Sequence, residues 1–149
     1  STGKPIICHK TDHFYAANID LTCTAAPIFA PDGNLLAILD VSSMSSPLAK
    51  ESQFLALQLV MMHAKMIESA NFLSHFSGHW ILRYAKTPVF VDVNKDNLIA
   101  IDGDGMILGA TQAAVNELNG GSSVKDVIGN SIIRLRANRT RIKFYDRLT

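Results

Sequence analysis

Four thiol and imidazole side chains near the start of the chain have the chemistry of metal ligands. They are Cys8, His9, His13 and Cys23, and cysteine sulfur with histidine nitrogen is a common ligand set for zinc. Neither the gap between the cysteines nor the adjacent Cys-His pair has zinc-finger spacing, and cysteines in strands are more often small buried apolar residues. We expect no metal here. We also expect none at His75 and His79, because Gly78 interrupts their helical spacing.

One later segment shares part of the pattern of a calcium-binding loop. Asp92, Asn94 and Asp96 stand at its first, third and fifth positions. The sixth position is Asn97, where the sharp turn of such a loop needs glycine. The twelfth is Gly103, where a bidentate glutamate would be needed. We interpret the segment as a polar turn before a strand, and the sequence predicts neither a metal nor another cofactor.

The sequence offers no combination of nucleophile, base and orienting group. Asp40, Asp102 and Asp104 fall at strand ends or turns, where aspartate commonly bonds to its own backbone. The serines between positions 42 and 46 suit a loop and a helix cap rather than the strand-to-helix turn that exposes a catalytic serine. We predict no catalytic residue, and we expect a protein that is not an enzyme.

Small side chains along the strand-like segment 22–29 favour a binding pocket instead. Alternate residues of a strand share a face, and small ones leave room that a ligand could fill. Close approach of a neighbouring helix would use the same room, and the sequence leaves both interpretations open. The loop before the strand carries three ring-bearing residues that could form a lid. The candidate ligand-binding residues are therefore His13, Phe14, Tyr15, Cys23, Ala25 and Pro27.

The element that must position these residues is the stretch from Ser46 to Tyr84. Ser46 suits a helix cap and Pro47 suits the first helical position, so we predict a helix over 47–77 that bends or ends near Gly78. Its apolar residues form two stripes, and a helix apolar on two faces needs two partners. One stripe is expected to pack on the chain's own sheet. The other has coiled-coil-like spacing and is the predicted homodimer interface: Leu55, Leu59, Met62, Met66, Leu73 and Phe76.

Strand patterns flank this helix on both sides. Two strand-like segments around a Pro-Asp-Gly turn predict a hairpin before it, preceded by a short strand. After it come a short strand, a second hairpin, a short helix, a further helical turn and a basic strand. The fold class predicted is α+β, because antiparallel sheets are separated by a helix. The segments are 5–9, 22–29, 35–43, 89–93, 97–102, 106–111, 112–118 and 123–131, with the basic strand around 139–144.

Composition excludes several classes of protein. A hydrophobic content of 48% and a charged content of 18% over 149 residues exclude wholesale disorder. No apolar run reaches the roughly 18 residues of a membrane span, so no membrane contact is expected. A net charge of +1 gives no overall footprint for nucleic acid, and the basic C-terminal residues are interpreted as a solvated strand face. We expect no signal peptide in the first residues, and two cysteines without secretory context favour a cytoplasmic protein.

Two segments carry a resemblance to known sensory modules. The run LTCTAAPIFAPDGNLLAILDVSS at 21–43, with TGKPI at 2–6 and DHF at 12–14, resembles the second half of a GAF domain. The type is the one found in activators of acetoin and glycerol metabolism. The run at 97–118 resembles the opening of a PAS domain, and HWILRYAK at 79–86 resembles the connector between the two modules.

The resemblance implies a GAF-like segment at 1–77, a connector at 78–87 and an incomplete PAS-like segment at 88–149. It implies a sensory and dimerisation fragment of a bacterial sigma-54-dependent transcriptional activator, responsive to a small-molecule effector and without direct nucleic-acid contact. The output ATPase and DNA-binding domains are expected outside it, since no phosphate loop is present. A sensor segment of a histidine kinase or cyclic-dinucleotide enzyme is one alternative. A free-standing small-molecule-binding protein is another.

Overall fold

The computed structural model describes residues 3–44, 46–47, 49–85, 93, 95–119, 123–133 and 142–145. These residues form an α+β fold with two antiparallel sheets and a long helix, which confirms the predicted fold class. The chain divides into two compact units, residues 1–28 with 35–66 and residues 29–34 with 67–149. Its elements are β1 (Ile6–His9), β2 (Thr22–Phe29), β3 (Leu35–Ser43), α1 (Phe54–His75), β4 (Trp80–Tyr84), β5 (Leu98–Ile101), β6 (Ile107–Ala110), α2 (Gln112–Asn119), α3 (Val124–Val127) and β7 (Ile142–Tyr145).

The first unit is a three-stranded sheet in the order β1-β2-β3 with the start of α1 on one face. Alternate residues of β2 are buried, and Ala26 and Ile28 pack with Val60 and Ala64 of the helix. Pro27 lacks a backbone N–H, yet it does not weaken the sheet, because the pairing of β1 with β2 ends at Ala25. The predicted hairpin 22–43 is confirmed, with both strands at the predicted bounds.

The long helix begins later than Pro47, so this part of the prediction is wrong. Ala49 has an extended backbone, with φ −78° and ψ 125°, and a 3₁₀ turn at Lys50–Gln53 comes before the α-helix. The hydroxyl of Ser52 donates to the Ala49 carbonyl at 2.7 Å. Such local side-chain bonds compete with helix formation. At the other end the helix stops at His75, just before Gly78, as expected.

The segment expected to be the connector, 78–87, contains strand β4. This strand lies inside the second sheet, whose order is β6-β5-β4-β7, and Leu82 is paired with Ile99. Neighbouring residues of β4 are buried on opposite faces. Leu82 packs with the cluster that includes α2 and α3, and Ile81 packs with Phe72 of α1. A strand covered on both faces has no polar side to reveal its two-residue period, so its sequence does not identify it as a strand.

The division into compact units differs from the expected modules. It cuts α1 between Met66 and Ile67, and it assigns the predicted connector 78–87 to the second unit. Whether 1–77 and 88–149 fold as separate modules stays a prediction. The predicted strand 89–93 lies outside the described residues except for Val93. No helix in the described part of the chain is both long and apolar enough to cross a membrane.

The second hairpin and the short helices are confirmed. Strands β5 and β6 pair antiparallel around an Asp-Gly turn, in which the Asp102 carboxylate accepts from the Asp104 and Met106 amides at 2.9 Å each. Helix α2 follows directly, and Ser123 caps α3 in the expected helical turn. Local turn chemistry is sufficient to fix these elements.

Candidate functional site

An open groove of about 310 Å³ lies against the first sheet. Residues Thr22, Thr24, Ala26 and Ile28 of β2 are buried toward α1, so the intervening residues face the other way. We call that side the outer face, and it carries Cys23, Ala25 and Pro27 of β2. On β1, Cys8 lies directly opposite Cys23, and Ile6 lies directly opposite Ala25. The groove is lined chiefly by small and aliphatic side chains, with one ammonium group near it: Lys4, Ile6, Ala25, Pro27, Leu35 and Ile38.

The outer face carries an unusual amount of exposed apolar surface. The side chains of Ile6 and Ile38 are each 60% exposed, and that of Leu36 is 55% exposed. Scattered exposed apolar residues need no explanation, but a contiguous patch marks an interaction or ligand surface. The arrangement suits a small, largely apolar molecule with a polar group near the Lys4 ammonium.

Two of the predicted ligand-binding residues, Ala25 and Pro27, line the groove. Cys23 lies on the same face, and its Sγ is 3.2 Å from the Ser42 hydroxyl. Six lining residues were not predicted from the sequence: Gly3, Lys4, Ile6, Ala26, Leu35 and Ile38. The pairing of the strands would have found Ile6, because it lies directly opposite Ala25.

The predicted lid residues do not lie at the groove. The His13 ring is hydrogen-bonded through Nδ1 to the Lys10 carbonyl at 2.9 Å. Phe14 is 94% exposed, and its ring packs edge-on against Tyr15 at 5.3 Å between centroids. Short 3₁₀ turns on both sides hold this loop. A role for the loop in covering a ligand stays a prediction.

The predicted dimer stripe of α1 divides into two parts. Leu55, Leu59, Met62 and Met66 are exposed, at 71%, 48%, 48% and 57%. Leu73 and Phe76 instead pack into the core of the second unit, with Phe76 only 7% exposed. These last two are a correction to the proposed interface, because β4 and β5 cover that part of the helix.

The four possible zinc ligands are not brought together. His9 points toward the buried face, where its Nδ1 lies 2.8 Å from the Thr22 hydroxyl, whereas Cys8 and Cys23 are on the outer face. His75 and His79 flank the Phe76 ring at 4.7 and 5.8 Å between centroids. Among the residues that the structure describes, no group of three or more His, Cys, Asp or Glu side chains could hold a metal ion. Asp92 and Asn94 of the calcium-like pattern lie outside them.

Two titratable groups beside the first sheet, Asp12 and Cys8, have pKa values shifted from their ordinary ones. The Lys50 ammonium, bonded to Asp12, holds the pKa of that carboxyl below its usual range, and the His9 amide adds a second bond at 3.1 Å. The pKa of the Cys8 thiol is raised by burial, and further by the charges of Asp12 and Cys23. Cys8 therefore keeps its proton more firmly than a free cysteine does.

Comparison with known proteins finds a close sequence relative. The chain is 50% identical over 120 residues to the acetoin catabolism regulatory protein of Cupriavidus necator. The match covers 80% of this chain, and it spans 18% of the relative's length. No protein-family model matches the chain. A chain from the crystal structure of the E. coli DhaR(N)–DhaL complex aligns with 89% of this chain and 44% of its own length, at 13% identity and a TM-score of 0.30.

Proposed function

We propose that this chain is a cytoplasmic, non-enzymatic sensory and dimerisation segment of a bacterial transcriptional regulator. The observation that carries the proposal is the 50% identity over 120 residues to a regulatory protein of acetoin catabolism. A match of that length exceeds either compact unit, so it includes parts of both. Identity at this level over linked units supports a shared role for the segment as a whole.

The modules of the proposal are a GAF-like segment and a PAS-like segment joined through α1. The three-stranded sheet with the helix on one face forms the first, and the β5–β6 hairpin with α2 opens the second. Output to an ATPase and to DNA would come from parts of the regulator other than this segment. These assignments rest on the sequence resemblance and on the order of the elements.

The effector proposed is a small hydroxyketone such as acetoin, which the relative's name suggests. The groove supplies apolar walls from Ala25, Pro27 and Ile38, and the Lys4 ammonium could donate to a carbonyl oxygen. Few polar groups among many apolar ones is the usual composition of a small-molecule site. A neutral ligand of this kind needs no buried countercharge.

Ala26 is the contact through which occupancy of the groove could reach the helix. It borders the groove, and it also packs with Val60 and Ala64 of α1. The helix continues from the first unit into the second, since the units divide it after Met66. Transmission requires two packings of α1 on the sheet that differ in affinity for the ligand.

Thermal unfolding of the chain with and without acetoin tests the sensing part of the proposal. A ligand at 100 times its Kd stabilises the folded state by about 2.7 kcal/mol, so the Tm should rise with acetoin concentration. Ala25→Phe, which fills the groove, should abolish the rise. Ala17→Phe, at an exposed site in the 10–20 loop, should leave it intact. A Tm insensitive to acetoin and related hydroxyketones and diketones would remove the ligand from the proposal.

A further inference from the structure

The chain's two cysteines face each other across two strands. Cys8 of β1 is directly opposite Cys23 of β2 in the antiparallel register. Paired residues of neighbouring strands project to the same side of a sheet, so both thiols lie on the outer face. Both side chains are half-buried and accessible to small reagents.

The backbone hydrogen bonds of β1 show whether Cys8 and Cys23 are a hydrogen-bonded or a non-hydrogen-bonded pair of the antiparallel sheet. The Lys10 amide donates across to the Leu21 carbonyl at 2.9 Å, while the His9 amide turns away and donates to Asp12. Amides alternate in direction along a strand, so Cys8 points its backbone groups toward β2 as Lys10 does. Cys8 and Cys23 therefore form a hydrogen-bonded pair, for which the Cα atoms are about 5.5 Å apart.

We propose that Cys8 and Cys23 form a redox-reversible dithiol, which a hydroperoxide converts into a disulfide across β1 and β2. One thiolate attacks the peroxide oxygen, giving a sulfenic acid and releasing water or an alcohol. The second thiol then attacks that sulfur, the S–S bond forms and the sulfenic oxygen leaves as water. Two thiols thus lose two protons and two electrons, and the hydroperoxide accepts them. The site is independent of the function proposed above.

The pair geometry favours a reversible bond over a permanent one. The Cα separation falls within the disulfide range, but the Cβ atoms of a hydrogen-bonded pair, about 5.5 Å apart, must approach to about 3.5–4.5 Å. The strain this creates makes a disulfide more oxidising and easier to reduce. The raised pKa of Cys8 acts in the same direction, because a thiol that holds its proton favours the reduced state.

Oxidation of the two cysteines should change the spacing of β1 and β2 where these strands line the groove. Ile6 and Ala25 form the next pair on the same face, two positions from the cysteines, and both line the groove. Drawing the strands together at Cys8 and Cys23 alters the spacing at that end. It also removes the contact between the Cys23 thiol and the Ser42 hydroxyl.

The test is peptide mapping of the reduced chain after exposure to hydrogen peroxide. Trypsin cleaves after Lys10, which lies between the cysteines. Oxidation should lower the mass of the intact chain by two hydrogen atoms and join peptides 1–10 and 11–50. Millimolar reduced glutathione should reverse both changes. Cys8→Ser and Cys23→Ser chains should show neither the loss of two hydrogen atoms nor the joined peptides. Each should instead add oxygen or glutathione at the remaining thiol.

Three results would overturn the inference. The first is a wild-type linkage formed chiefly between chains, seen as a covalent dimer without reductant. The second is oxidation of both thiols to sulfinic acids with no loss of hydrogen. The third is an intrachain disulfide that reduced glutathione does not open, which would make the bond a permanent link. A mixture of Cys8→Ser and Cys23→Ser chains provides the reference for linkage between chains.

Discussion

The ring of Phe76 fills the space beside Gly109 where a side chain would otherwise lie. A Cβ atom at position 109 would be 2.6 Å from Cζ and 2.7 Å from Cε2 of that ring, and 3.2 Å from the Pro31 carbonyl oxygen. Carbon atoms do not approach to these distances without displacement. The end of α1 therefore contacts β6 closely because position 109 has no side chain.

Gly109→Ala should lower the free energy of unfolding by about 1–3 kcal/mol, the usual cost of overpacking a core. Urea denaturation measures it. Gly103→Ala is the matched control, since a Cβ there meets nothing within 4 Å. Adding Phe76→Leu should recover part of the loss that Gly109→Ala causes, as a double-mutant cycle would show. Equal stability of Gly109→Ala and Gly103→Ala would contradict the contact.

Thr111→Val should destabilise the second unit by about 1–3 kcal/mol, because it leaves buried polar groups without partners. The Thr111 hydroxyl donates to the Asp96 carbonyl at 2.6 Å, and it accepts from the amides of Leu98 at 3.1 Å and Ala114 at 3.3 Å. It thus joins the start of β5 to the first turn of α2. Thr111→Ser keeps the oxygen and should cost less. If the valine variant unfolds at the same urea concentration as the serine variant, the hydroxyl has no structural role.

Leu59→Glu with Met66→Glu should convert the proposed dimer into a single chain of 16.2 kDa by light scattering. Both side chains are exposed in the single chain, and two carboxylates would be desolvated in a helix-to-helix interface. The control is Gln58→Glu with Lys65→Glu, which has the same spacing at neighbouring exposed positions. It should remain dimeric. A soluble dimer that survives the first pair of substitutions would exclude this stripe as the interface.

Lys50→Met should raise the pKa of Asp12 toward its ordinary value, because the ammonium is the largest cause of its depression. A depressed carboxyl pKa stabilises the fold above the unfolded-state pKa, and that contribution is lost as pH falls through the folded value. The stability difference between wild type and Lys50→Met should therefore be present at neutral pH and vanish in acid. Carboxyl NMR titration measures the pKa, and urea denaturation across pH measures the stability. Lys65→Met, at another exposed lysine, should leave the Asp12 titration unchanged.

Elements set by neighbouring residues were predictable from sequence. Both hairpins follow from turn residues between apolar runs, and β2 and β3 have their predicted bounds. The start of α1 was not predictable from sequence, because no residue type near Ala49 indicates that its backbone is extended. Strand β4 was missed for another reason: its period is hidden when Ile81 and Leu82 are buried on opposite faces. In the groove, Ala25 and Pro27 of β2 were predictable, whereas the aliphatic residues Ile6, Leu35 and Ile38 were not.

The sequence by itself determined the α+β class, the hairpin turns and the apolar stripes of α1, since these depend on residues a few positions apart. Only the tertiary structure decided which parts of a stripe are covered. Met66 and Leu73 lie on the same stripe, yet Met66 is exposed and Leu73 packs in the second core. It likewise decided that Cys8 faces Cys23, since strand register joins residues distant in the chain. Burial depends on what packs against a residue, and periodicity gives only the direction in which a side chain points.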